Sequence, residues 1–160
     1  MKILMVTDAL EMGGKERRLL ELIKGLTNHQ EKFDIYLLSL TDKVEYTYVY
    51  DLPIKFKIFT RKSKKDISIV FKLKKIISEF IPDIIHSWGT MSGIYLSAAN
   101  LFSGIPLINA VLADAYANLN LLDKHYLRVK LITPFSNVIV SNSEAGIRAY
   151  RTPPNKTVCI

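Results

Sequence analysis

Six short apolar runs, at residues 3–7, 34–40, 56–59, 84–87, 106–111 and 138–141, recur along this 160-residue chain with helix-period patterns between them. The runs are mostly apolar on both faces. A strand with one wet face would alternate polar and apolar residues, so runs like these belong in a parallel sheet covered on both sides. The intervening patterns supply the cover. Residues 15–28 place Leu19, Leu22, Ile23 and Leu26 on one stripe, with Arg17, Arg18, Glu21 and Lys24 around it. Residues 67–81 do the same with Ile69, Leu73, Ile76, Ile77 and Phe80, leaving Lys72, Lys75 and Glu79 outside, and Pro82 ends the pattern. A third helix, 92–103, carries the small residues Gly93, Ser97, Ala98 and Ala99 and is stopped by Gly104 and Pro106. Helices at 119–133 and 143–150 follow, the last opening on the cap residues Ser141, Asn142 and Ser143. Repeated strand–helix–strand order predicts one α/β domain: a doubly wound, Rossmann-like parallel sheet of six or more strands with helices on both faces. The first and fourth strands should lie side by side.

Composition narrows the setting. The apolar fraction of 49% suits a globular core, and no apolar run approaches the length of a membrane span. A single cysteine, Cys159, has no partner for an intramolecular disulfide or a structural zinc site, so a reducing, cytoplasmic setting is expected. The net charge of +7 is concentrated between Lys55 and Lys75, a stretch whose only acid is Asp66. Its lysines, Lys64, Lys65, Lys72 and Lys75 among them, are candidates for facing an anionic membrane surface. The competing reading is a solvated helix face. Nucleic acid fits less well, because the stretch has no recognition-helix, zinc-finger or RNP-like pattern.

In doubly wound sheets the ligand crevice lies beyond the carboxyl ends of the strands, at the switch point between the first strand and the fourth. The segment there is Met12-Gly13-Gly14-Lys15, a glycine turn opening a helix. Glycine lets a ligand approach the backbone, and a helix N-terminus favours negative charge, so Gly13 and Gly14 are candidates to receive an anion. A plain turn is the alternative. The dinucleotide fingerprint Gly-x-Gly-x-x-Gly is missing, as are the nucleotide-hydrolase loop and the Gly-x-Ser-x-Gly elbow. His29, His86 and His125 have no metal-ligand spacing, and no metal is expected. Trp88, just past the fourth strand, either stacks on a ligand ring or plugs the sheet edge. Asn109 and Asp114, near the end of the fifth strand, are candidates to hold ligand hydroxyls, with a helix-cap role open for the acid.

Taken together, several segments resemble the amino-terminal, acceptor-side domain of glycosyltransferase family 4 enzymes of the GT-B fold. They are the opening Lys2-Ile3-Leu4-Met5-Val6-Thr7, Gly13-Gly14 with Glu16 and Arg17, and Pro82-Asp83-Ile84-Ile85-His86-Ser87-Trp88-Gly89. Gly104-Ile105-Pro106 and Val138-Ile139-Val140-Ser141-Asn142-Ser143 extend the resemblance over essentially the whole chain. It implies one half of a GT-B architecture, with a carboxy-terminal, nucleotide-sugar-binding domain beyond residue 160. It also implies transfer of a sugar, with retention, from a nucleotide-sugar donor to a saccharide or lipid-linked acceptor, with no turnover by this half alone.

The same resemblance implies site roles. Gly13 and Gly14 match the loop that faces the donor diphosphate. His86 matches the first His of a His-x-His pattern, but Trp88 stands where the second would be, which weakens a catalytic role for His86 and leaves a core histidine as the alternative. The nucleotide sugar enters as substrate and no cofactor is implied. Two readings of other classes stand beside this one: a non-catalytic Rossmann-like module that docks a partner or membrane, and a nucleotide-dependent enzyme of another family.

Overall fold

The computed structural model describes residues 1–29, 32–63, 65–111 and 122–160. Seven parallel strands form one sheet in the order β3-β2-β1-β4-β5-β6-β7. They are β1 (Lys2–Thr7), β2 (Asp34–Ser39), β3 (Lys55–Ile58), β4 (Ile84–Trp88), β5 (Leu107–Val111), β6 (Val138–Ser141) and β7 (Thr157–Cys159). The helices are α1 (Gly14–Thr27), α2 (Ser68–Phe80), α3 (Thr90–Ala99), α4 (Lys124–Ile132) and α5 (Glu144–Tyr150). β1 pairs with β2 on one side and β4 on the other, Met5 opposite His86 and Thr7 opposite Trp88, so the chain reverses its direction of travel across the sheet at that pair.

The two faces are built unequally. On one, α1 and a 3₁₀ turn at Thr47–Asp51 cover β1 and β2 through Leu19, Leu20, Ile23 and Val49 packed on Ile3, Met5, Ile35 and Leu37. On the other, α2 and α3 pack Ile69, Leu73, Phe80, Tyr95 and Leu96 on Leu4, Val6, Leu38 and Ile85. A third cluster, Tyr126, Val129, Ile132, Ile139 and Tyr150, joins α4 and α5 to β6. The central strands β1 and β2 are buried on both faces, as their doubly apolar composition requires, while the edge strands β3 and β7 are not.

Local signals set most boundaries. Asp123 caps α4 by accepting from the amides of His125 and Tyr126, and Ser143 caps α5 by accepting from Gly146. α2 stops at Phe80 because Pro82 follows, and Ile81 turns the chain at φ +50°. Gly104 makes its turn at φ +74°, a conformation glycine adopts without strain. α3 begins at Thr90, ahead of the expected residue 92, because the group that caps it lies far away in sequence.

The basic segment 55–75 does not form one helix. Lys55 and Lys57 lie on the edge strand β3, where charge discourages pairing with another sheet, and Lys55 sits 3.3 Å from Asp34. Lys65 is exposed in the loop before α2, and Lys72 and Lys75 are exposed on α2 itself. Lys75 approaches Glu79 at 3.7 Å and Lys72 lies over the Phe59 ring. Lys64 lies outside the described residues. No helix among the described residues is long and apolar enough to cross a membrane.

Candidate functional site

At the carboxyl ends of β1 and β4, α1 and α3 begin side by side in sheet order, and their N-termini are treated differently. α3 is closed. The Asp8 carboxylate, just past β1, accepts hydrogen bonds from the amides of Met91 (3.3 Å) and Ser92 (2.6 Å). Gly89 makes room for it: a Cβ there would stand 2.5 Å from the carboxylate. Among the described residues no side chain caps the N-terminus of α1, and Gly13, extended at φ −166°, is its first boundary residue. Its first-turn amides are therefore available to an anion.

The glycine loop is held from behind. The Tyr46 hydroxyl donates to the Gly13 carbonyl at 3.2 Å, the Met12 amide donates to the Glu45 carboxylate, and Leu10 bridges to Val44. Glu16 is buried; its carboxylate leans back over Gly13 and pairs with Lys15 at 2.9 Å. Neither Gly13 nor Gly14 has a positive φ, so the loop does not need glycine for its backbone conformation. What differs is space. A Cβ on Gly13 would collide with the Glu16 carboxylate, whereas one on Gly14 would meet nothing within 4 Å.

His86 and Trp88 point to the α1 side of β4. Their rings lie 5.0 Å apart, and with Arg18, Leu22, Val140 and Ile160 they line a cavity of about 320 Å³. This cavity sits along the second and third turns of α1, and neither Gly13 nor Gly14 lines it. Trp88 is only 4% exposed and packs with the α1 core, the placement of a plug at the sheet edge. His86 is not a satisfied core histidine: among the described residues its Nε2 is buried without a partner, as is the Trp88 Nε1. Burial lowers the His86 pKa to about 4, so the ring is neutral near pH 7.

Asn109 does not face a ligand. It is fully buried, accepts from the Ser87 hydroxyl, and donates through Nδ2 to Ser136 Oγ at 2.8 Å; Ser136 in turn donates to the Ile132 carbonyl at 2.9 Å. The amide fastens β4 to β5 and the end of α4. Asp114 lies outside the described residues. Among those residues no group of three His, Cys, Asp or Glu side chains is placed to hold a metal ion.

Sequence reasoning assigned no role to Asp8. Its partners lie more than 80 residues away, and only the pairing of β1 with β4 brings them together. A glycine directly after one strand of the switch-point pair and an acid directly after the other was the available signal.

The fold recurs in solved structures. Anabaena Alr3699/HepE in complex with UDP superposes with a TM-score of 0.79 at 20% identity, over 100% of this chain and 43% of its own. The lipopolysaccharide outer core galactosyltransferase WaaB matches with a TM-score of 0.73 at 19% identity, over 99% of this chain and 44% of its own. MurG from Acinetobacter baumannii gives 0.71 at 16%, again over 99% and 44%. The chain thus spans less than half the length of these structures. A UDP-N-acetylglucosamine 2-epimerase, at 0.73 and 10% identity, shares the fold as well, so architecture alone does not select transfer over epimerisation. No curated protein sequence matches. The family model for Glycosyltransferase Family 4 matches residues 12–160, from the glycine loop to β7, and the chain belongs to that family.

Proposed function

We propose that this chain is the acceptor-side half of a retaining sugar transferase that moves a sugar from a nucleotide-sugar donor to a saccharide or lipid-linked acceptor. The observation that carries the reading is the N-terminus of α1, which no side chain of the described residues caps and which opens on Gly14, beside the β1–β4 switch point. There the first-turn amides stabilise the diphosphate as negative charge develops on it during loss of the sugar, while Asp8 keeps the neighbouring α3 in place. The neutral His86 and the buried Trp88 act as scaffold on this reading, and no metal or cofactor takes part.

Half of a cleft does not surround a sugar diphosphate or exclude water, so the 160-residue chain by itself binds donor weakly and does not turn over. A second, nucleotide-binding half completes the site. The protein works in the cytoplasm at the inner face of the membrane, with the exposed Lys65, Lys72 and Lys75 toward the anionic surface.

Amide NMR of the labelled chain tests the donor-side role. Titration with UDP-glucose, and separately with pyrophosphate, should move the Gly13, Gly14 and Lys15 amide signals at millimolar concentrations, with no sugar released. Responses confined to the start of α3, or tight stoichiometric binding by the chain alone, would show that the loop does not hold the diphosphate in this way.

A further inference from the structure

A cavity of about 520 Å³ lies between α2, α3 and α4, away from the glycine loop. Its volume falls within the roughly 300–1,000 Å³ of small-molecule sites. The floor is apolar, built from Val70, Ile94 and Ala98, and the rim carries three cations, Lys65, Lys124 and Arg128. None of the three forms an ion pair among the described residues. The acids beside them in sequence are occupied elsewhere: Asp66 accepts from the Lys62 and Ser68 amides, and Asp123 caps α4. Tyr95, 5% exposed, forms part of the wall, and its buried hydroxyl has no partner among the described residues.

The cavity does not end at its apolar floor. A second one of about 240 Å³ shares Ile94 and Ala98 with it and continues between α3 and α4 past Leu131 to Phe135. The small side chain of Ala98 on α3 keeps this passage open. The result is a trough with cations at one end and apolar walls along its length. Beside the cationic end, Ile67 and Phe71 stand 68% and 69% exposed at the start of α2, close in sequence to Lys72 and Lys75. Exposed apolar residues interleaved with lysines are the composition of a helix that rests on a membrane interface.

We propose that this trough binds an anionic lipid drawn from the membrane, with a phosphate head held among Lys65, Lys124 and Arg128 and an alkyl chain lying along Ile94, Ala98 and Leu131. A free soluble anion would use the cations and leave the apolar passage empty. A neutral alkyl ligand would leave three unpaired cations at its end. One lipid matches both. The proposal does not depend on sugar transfer, and its test contains no donor, so its failure and that of the transferase reading are separable.

The test uses dihexanoyl phosphatidic acid, which is soluble as single molecules, in calorimetry with the 160-residue chain, against inorganic phosphate and dihexanoyl phosphatidylcholine. Saturable binding of the phosphatidic acid alone is expected. Arg128→Gln should weaken it about tenfold, the loss of one charge-assisted bond. Ala98→Trp, at an exposed position, should abolish it by filling the passage; if that variant loses its circular dichroism signature, Leu131→Glu at a 56% exposed site makes the same test. Lys72→Gln with Lys75→Gln should leave single-lipid binding unchanged while reducing recovery on vesicles of phosphatidylcholine with phosphatidic acid. Equal affinity for inorganic phosphate, full binding by both passage variants, or binding to vesicles with none to the single lipid would each overturn the proposal.

Discussion

The two sides of β4 at the switch point carry opposite polar economies. On the α3 side, Ser87, Asn109 and Ser136 form a closed chain that ends on the Ile132 carbonyl, and Asp8 takes up the Met91 and Ser92 amides. On the α1 side, His86 Nε2 and Trp88 Nε1 are buried without partners, and the N-terminus of α1 has no side-chain cap, among the described residues. A buried polar group left unsatisfied costs about 1–3 kcal/mol. On the α3 side, Asp8, Ser87, Asn109 and Ser136 thus fasten strand to helix, although the Tyr95 and Ser97 hydroxyls of α3 are themselves buried without partners among the described residues. The α1 side holds hydrogen-bonding capacity that the described residues do not use.

The sharpest way to break this contrast is to open the closed side. Gly89→Ala drives a methyl into the Asp8 carboxylate, which must then leave both α3 amides, and a loss of about 3 kcal/mol is expected from crowding plus two lost bonds. Asp8→Ala removes the same bonds without the crowding and should cost about 2 kcal/mol. The two are coupled through one contact. In the Asp8→Ala background, Gly89→Ala should cost less than about 1 kcal/mol, because the carboxylate it displaces is gone. Urea denaturation of the four proteins measures the cycle. Additive losses would mean that Asp8 and Gly89 act separately and that α3 is not fastened through them.

The open side should respond to pH. Burial holds the His86 pKa at about 4 when folded, against 6.5 for the free side chain. Between those values the unfolded chain takes up a proton that the folded chain refuses, so stability is full above about pH 6.5 and falls as the pH drops toward 4. The loss attributable to this ring is about 2 kcal/mol, discounted because the residue is only partly shielded from water. His86→Gln should flatten the stability profile in that window by the same amount, read as urea midpoints near pH 7 and near pH 5. An unchanged slope in the variant would assign the acid sensitivity to other groups and place His86 in contact with solvent.

What the sequence made legible, and what it hid, divides by the range of the interaction. The strands were readable because burial on both faces is written in consecutive residues such as Ile3 to Val6, and α4 and α5 carry their cap residues next to them. The adjacency of β1 and β4 followed from the switch point of a doubly wound sheet and was met. The glycine loop was legible as a position, but its reason for being glycine was not, since its φ angles are ordinary. Asn109 looked like a ligand residue because it ends a strand at the crevice edge. Its true partners, Ser87 and Ser136, lie 22 and 27 residues away and converge only through the sheet and the end of α4. Asp8, Glu16 and the unpartnered nitrogen of His86 were hidden for the same reason: each depends on what a third element places beside it.

The smallest stability effect carries the most weight for function. Three glycines meet near the switch point, and the space at two of them is already occupied, by the Asp8 carboxylate at Gly89 and by Glu16 at Gly13. Gly14 alone of the three faces open space, at the exposed start of α1. Without a positive φ to demand it, glycine there earns no conformational advantage, and Gly14→Ala should change stability by less than about 0.5 kcal/mol, in the stabilising direction. Gly14→Val should also fold, since its branches project where no protein atom stands. Its backbone amide remains, so any loss of anion binding reports closed access and not a missing donor. The expected outcome is a graded one: the response of the Gly13 and Lys15 amides to UDP-glucose shrinks in Gly14→Ala and disappears in Gly14→Val, at unchanged urea midpoints. Full responses in the valine variant would mean that the open space at Gly14 is only a turn, and the contrast between the two sides of β4 would then lose its bearing on the donor.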